Sequence, residues 1–222
     1  AMILGKLVGD AGSVVAVEAT PHNAAVAERN VSANGLTQVT IVHAAGADLL
    51  NLISDILDLS KIESGTVTVE PEEVSFASVR DAVERSFRHV AETKHLAFDI
   101  EMDTQLPRSL NTDLKRLQQV LKNLLSNAFK FTSQGRVTFR MNVATAGWSV
   151  DHAALNNTPR VIAFEVRDTG IGISPDKQKI IFEAFHQADA GTSRRYGGTG
   201  LGLAISRELA TLLGSEIRLN SA

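Results

Sequence analysis

The chain is 222 residues long, 44% hydrophobic and 21% charged, which suits a globular protein with one substantial core and a smaller appendage. Its formal net charge of -3, without any Lys/Arg-rich run, excludes the basic field that collects nucleic acid. It has no cysteine, which excludes disulfides and thiolate metal sites, and no apolar run long enough to span a membrane, so a cytoplasmic setting is expected.

Residues 1–47 read as a short helix, a strand over 13–18, a helix from about 22 to 34 and a strand over 38–43. This is a compact β-α-β pattern in which Asn34-Gly35 stops the helix. The pattern changes over 48–70, where Leu49, Leu52, Ile53, Ile56, Leu57 and Ile62 recur at helical spacing until Gly65 ends the run. Residues 71–222 read as an α+β domain with helices over 78–94 and 113–131 and strands over 97–102, 136–143 and 161–168. A short helix opens at Ser174-Pro175, and a last one, from about 202 to 213, is stopped by Gly214. In strand 136–143, Val137, Phe139, Met141 and Val143 alternate with Arg136, Thr138, Arg140 and Asn142, so one face needs helices over it while the other meets water. Residues 145–159 read as a surface insertion between two strands.

Helix 113–131 carries two messages. Leu114, Leu117, Leu121, Leu124, Leu125 and Ala128 form a stripe for burial, while Asn123, Asn127 and Lys130 line up on another face. A carboxamide oxygen is a neutral hard ligand that suits Mg²⁺, which keeps waters and substrate phosphates around it, and a lysine one turn away can neutralise phosphate. Alone, the pattern is also that of a solvated face. Downstream, Asp168-Thr169-Gly170-Ile171-Gly172-Ile173 closes a strand, and Gly197-Gly198-Thr199-Gly200-Leu201-Gly202-Leu203 runs into a helix. Glycines before a helix let backbone N–H groups approach phosphate oxygens at the positive end of the dipole. An aspartate at a strand end can accept a hydrogen bond from the exocyclic amine of adenine; an ordinary Asp-Thr-Gly turn has the same sequence.

Together these segments resemble sensor histidine kinases. The stretch from Asn123 to Thr132 is similar to their N box, that from Asp168 to Ile173 to their G1 box, Ile181 to Phe185 to their F box and Gly198 to Leu203 to their G2 box. The resemblance implies a Bergerat-type α/β sandwich, with helices on one face of a mixed sheet, preceded by the β-α-β fragment and the helix 48–70. That helix resembles the end of the family's dimerisation and phosphoacceptor hairpin. The resemblance also implies ATP and Mg²⁺ as cofactors. Asn127 would ligate the metal with Asn123 in support, and Lys130 would contact phosphate. Asp168 would read adenine in a pocket shaped by Gly170 and Gly172 and completed by Ile173, Phe182 and Phe185. Gly198, Thr199, Gly200, Leu201 and Gly202 would cradle the triphosphate, and Arg194 and Arg195, in a lid over 186–196, could reach it. Gyrase-like and heat-shock ATPases of the same fold group carry a glutamate base four residues before the metal-binding Asn. Asn123 stands there instead, which favours kinase over hydrolase.

The family's acceptor histidine is followed by an acidic residue, and His22, His43, His89, His95, His152 and His186 are not. The partners implied are therefore ATP or ADP, a phosphoacceptor hairpin or response regulator in trans, and a second copy of the chain. The alternative is a chimeric nucleotide-binding or folding module without kinase activity. Residues 1–47 resemble a fragment of a Rossmann-like S-adenosylmethionine-dependent methyltransferase, in which Glu18 would bind the cofactor ribose, although that family's glycine-rich turn is absent. The family's last strand is also absent after residue 221, so residues 216–221 are expected to form an open sheet edge, covered by strand 13–18 or a neighbouring molecule.

Overall fold

A computed structural model describes residues 14–18, 21–36, 39–43, 46–184 and 200–221. They fall into two units, the larger formed by Lys61–Glu183 with Gly202–Ala222 and the smaller by the remainder.

In the smaller unit, strand β1 (Val14–Glu18) lies parallel to β2 (Val39–His43), with Val14 opposite Val39 and Glu18 opposite His43. A parallel pair needs a crossover, and helix α1 (Pro21–Ala33) supplies it. Gly35 ends α1 at φ 61, where the Leu36 N–H returns to the Val31 carbonyl at 3.2 Å. Ala24, Leu36 and Val39 are buried. Helix α2 (Gly46–Glu63) stops at Gly65, φ 66, and its Lys61 carbonyl accepts from the Thr66 N–H at 3.1 Å. Ile53 and Leu57 on α2 are exposed.

The larger unit is built on a three-stranded sheet of β4 (Ala97–Met102), β6 (Arg136–Ala144) and β7 (Val161–Asp168), in the order β4-β6-β7. The first pair is parallel and the second antiparallel, so the sheet is mixed. The alternation expected of β6 is observed: Val137, Phe139 and Met141 are fully buried, and Arg136 and Arg140 are exposed. On the outward face Arg136 faces Asp99 at 3.8 Å, Arg140 faces Glu101 at 3.7 Å and Arg167 pairs with Glu165 at 2.6 Å. A second, two-stranded sheet pairs β3 (Glu72–Ser75) antiparallel with β5 (Ser109–Thr112); neither strand is expected from the sequence.

Helices α3 (Phe76–Lys94) and α4 (Leu114–Phe131) share one core with the buried side of the sheet. The Phe129 ring organises it, stacked on Phe87 at 5.5 Å and edge-on to Phe98 at 5.2 Å. Ser75 caps α3 by accepting from the Ser78 N–H at 3.1 Å, which starts the helix two residues earlier than its apolar spacing indicates. The helix ends at His95, whose φ of 54 makes it the one non-glycine residue with positive φ among the described residues. Lys94 reaches across to α4 and donates to the Phe129 carbonyl at 2.6 Å.

Asp113 caps α4 through Oδ1, which accepts from the Arg116 N–H at 3.0 Å, while Oδ2 accepts from the Glu70 N–H at 3.1 Å. Burial acts to raise this carboxyl's pKa. The Arg116 and Glu70 N–H donors, with the Arg116 charge and the Lys115 N–H, outweigh burial and hold it below the ordinary carboxylate value. The buried stripe of α4 is Leu117, Val120, Leu121, Leu125, Ala128 and Phe129; Leu114 and Leu124 are only half-buried.

The surface insertion 145–159 holds a short helix α5 (Ala153–Asn156), and its Ser149 N–H donates to Glu216 Oε1 at 2.7 Å. One further expectation needs correction. Residues 216–221 form no strand, so the expected edge does not arise there. The segment is tied by side chains instead, as in the bond from the Ile173 N–H to Ser221 Oγ at 2.8 Å.

Candidate functional site

Helix α4 is held at two points by segments distant in sequence, one on its polar face and one at its C-cap. Near the middle of the helix, Asn123 is half-buried, and its Nδ2 donates to the Gly202 carbonyl at 3.1 Å and to Ser206 Oγ at 3.2 Å. Both acceptors lie in the first turns of α7 (Gly202–Leu212). The two helices are in contact at Gly202, where a Cβ would stand 3.6 Å from Asn123 Cγ, an ordinary packing distance. At the far end of the helix, Thr132 closes α4 through its N–H to the Ala128 carbonyl at 3.1 Å, and its Oγ1 donates to Asp168 Oδ1 at 3.4 Å. The same Oδ1 accepts from the Gly170 N–H at 2.8 Å, which turns the chain sharply off the end of β7. Gly170 has no room for a side chain, because a Cβ would come within 2.5 Å of the Phe131 carbonyl and 2.7 Å of Asp168 Oδ1. Gly172 follows at φ 68.

At 1.5 Å per residue, the two grips stand roughly 13 Å apart along α4. Asn127 and Lys130 lie between them on the same helix. Asn127 is half-buried, and its carboxamide makes no hydrogen bond among the described residues. The Lys130 ammonium sits 4.9 Å from the centre of the Phe131 ring, and burial pushes its pKa below the ordinary lysine value.

The other expected residues lie on other elements or outside the described residues. Ile173 leads into α6 (Pro175–Gln178), and its carbonyl accepts from Gln178 Nε2 at 2.7 Å. Phe182 is half-buried in the turns after α6. Gly200 has φ 73 and Leu201 is fully buried. Phe185, Arg194, Arg195, Gly198 and Thr199 lie outside the described residues, as does the expected lid. Three residues with no expected role of their own enter the arrangement: Thr132, Ser206 and Ser221. Ser206 stands one helical turn after Gly202, which marks it in retrospect, and Thr132 directly follows the last residue of the helix.

The donor set fits a magnesium nucleotide. Among the described residues no group of three His, Cys, Asp or Glu side chains could hold a metal. A divalent cation here would be carried by carboxamide oxygen, water and phosphate, the arrangement Mg²⁺ prefers at nucleotide sites. No helix among the described residues is long and apolar enough to cross a membrane.

A family model described as histidine kinase-, DNA gyrase B-, and HSP90-like ATPase matches residues 112–222, half of the chain and all of α4, β6, β7 and α7. The chain belongs to this ATPase family. Relatives include the autoinducer 2 sensor kinase/phosphatase LuxQ of Vibrio vulnificus, 37% identical over 189 residues, covering 85% of this chain and 21% of that protein. The signal transduction histidine-protein kinase BarA of Escherichia coli is 37% identical over 180 residues, 81% of this chain and 19% of its own. The chain thus spans about a fifth of the length of the curated relatives it matches. Among solved structures, full-length ShkA in complex with AMPPNP superposes with a TM-score of 0.60 and 25% identity, over 95% of this chain and 37% of that one. The mixed α/β fold expected from the histidine kinase motifs is therefore the family's own. The methyltransferase resemblance of residues 1–47 gains no support from these matches.

Proposed function

We propose that residues 71–222 bind Mg-ATP along α4 and hold its γ-phosphate for transfer to a histidine on a phosphoacceptor hairpin. The observation that carries this reading is the double grip on α4: Asp168 at its C-terminal end and the glycine-led start of α7 at Asn123, with Asn127 and Lys130 between. A nucleotide lying along this face would meet a base-reading carboxylate at one end and phosphate-binding backbone at the other. Asp168 would accept from the adenine amine, Asn127 would offer its oxygen to Mg²⁺, and Lys130, desolvated enough to act strongly, would meet phosphate. Bound Mg-ATP would supply the phosphoryl group, and the chain's residues would position it and neutralise its charge.

Asn123 favours transfer over hydrolysis. A carboxamide has no useful basicity, and this one spends both N–H groups on α7, so nothing at this position activates water. None of the six histidines in this sequence precedes an acidic residue, so the transfer test supplies the acceptor as a separate hairpin. The second reading is a nucleotide-binding module that transfers nothing. Incubation with γ-labelled ATP, alone and with a separate phosphoacceptor hairpin, decides between them. Label on the hairpin is the expected result; nucleotide binding without any label on it supports the second reading, and no nucleotide binding removes both.

A further inference from the structure

The hydrogen bonds between α4 and α7 orient the Asn123 carboxamide as well as joining two helices. A carboxamide has two N–H donors on one side and an acceptor oxygen on the other. Asn123 directs Nδ2 at the Gly202 carbonyl and at Ser206 Oγ, and Ser206 Oγ donates its own hydrogen to the same Gly202 carbonyl at 2.7 Å. The three groups form a closed triangle. Rotating the amide by half a turn would set Asn123 Oδ1 against the Gly202 carbonyl, acceptor against acceptor, and the single Ser206 hydrogen could satisfy only one of them. Ser206 is 0% exposed, so water cannot relieve the mismatch.

We propose that Ser206 is a positioning residue of the nucleotide site, locking Asn123 with its nitrogen toward α7 so that the helix offers the nucleotide an oxygen there. Held this way, Asn123 can accept from a metal-bound water or meet a cation but cannot donate to a phosphate oxygen. The role of Asn123 then lies on the magnesium side of the ligand, beside Asn127 one turn along. Ser206 acts only through Asn123. The inference rests on the Mg-ATP reading above and assigns a function to a residue outside the glycine motif itself.

The test is a double-mutant cycle on the full chain, using ATP as the ligand in magnesium and in EDTA. Ser206→Ala removes one oxygen and adds no volume. It is expected to weaken binding about fivefold in magnesium, the value of one hydrogen bond, and less than twofold in EDTA. In an Asn123→Ala background the same substitution is expected to change neither value. Unchanged affinity in magnesium, an equal loss with and without it, or an undiminished loss in the Asn123→Ala background overturns the positioning role. If the parent chain binds ATP no better with magnesium than without, the Mg-ATP reading itself fails, an outcome visible before any variant is made.

Discussion

Thr132 and Asp168, which lie on different elements, meet at the C-terminal end of α4, where the threonine hydroxyl donates to the aspartate Oδ1 at 3.4 Å. The bond joins the helix that carries Asn127 and Lys130 to the strand whose last residue would read the base. One carboxylate thereby joins helix and turn, and in the proposed site it would also meet the base.

Asp168→Asn keeps the shape but weakens this junction and removes the charged acceptor for the adenine amine. A charge-assisted hydrogen bond contributes about 1.5 to 3 kcal/mol, so ADP affinity by titration calorimetry should fall roughly ten- to a hundredfold. A variant that binds as well as the parent excludes Asp168 as the base reader.

At Gly170 any side chain collides with the Phe131 carbonyl at 2.5 Å and with Asp168 Oδ1 at 2.7 Å. Gly170→Ala should therefore destabilise the larger unit by about 1 to 3 kcal/mol, the usual cost of overpacking, and weaken nucleotide binding with it. Chemical denaturation measures the first effect; an unchanged midpoint would mean that the turn has room to move.

His95 adopts φ 54 at the C-cap of α3, a conformation natural to glycine. Replacing it with glycine relieves strain of about 1 to 2 kcal/mol and returns part of that as entropy of the unfolded chain. A net gain near 0.5 to 1 kcal/mol is expected, read as a rise of about 2 °C in Tm by differential scanning calorimetry.

The pKa of Asp113 is depressed in the folded chain, because the Arg116 and Glu70 N–H donors and the Arg116 charge outweigh its burial. Its contribution to stability is complete above the unfolded carboxylate value of about 3.9 and is lost as pH falls toward the folded value. Asparagine caps helices about as well as aspartate. Asp113→Asn should therefore keep the Arg116 cap, give up the Glu70 bond and flatten the loss of stability below about pH 4, whereas Asp113→Ala should lose both bonds and cost about 1 kcal/mol or more at neutral pH. Urea unfolding across pH 3 to 7 separates the two; identical acid limbs in parent and Asn variant would count against the carboxylate.

Much of the fold was legible because its signals are local. The limits of β4 and β7 agree with the alternation of their residues, and α4 announces itself by Asp113 at one end and an apolar stripe behind it. Strands β3 and β5 escaped notice because EEVS and SLNT carry no period-two pattern; only their pairing, Val74 opposite Leu110, makes them strands. Of the candidate site, the spacing of Asn123, Asn127 and Lys130 identified the helix face. The choice of Ser206 and Thr132 as partners depends on contacts across 83 and 36 residues of chain, which no local pattern encodes.

The outward face of the β4-β6-β7 sheet carries ion pairs such as Arg140 with Glu101, and exposed pairs of this kind add little to stability. Helices occupy the other side, and the chain contains no thiol. A cysteine introduced at Arg140 would therefore be unique and on the sheet face opposite the shared core. A dye or spin label attached there could follow nucleotide capture in the intact chain while leaving α4 and its grips untouched.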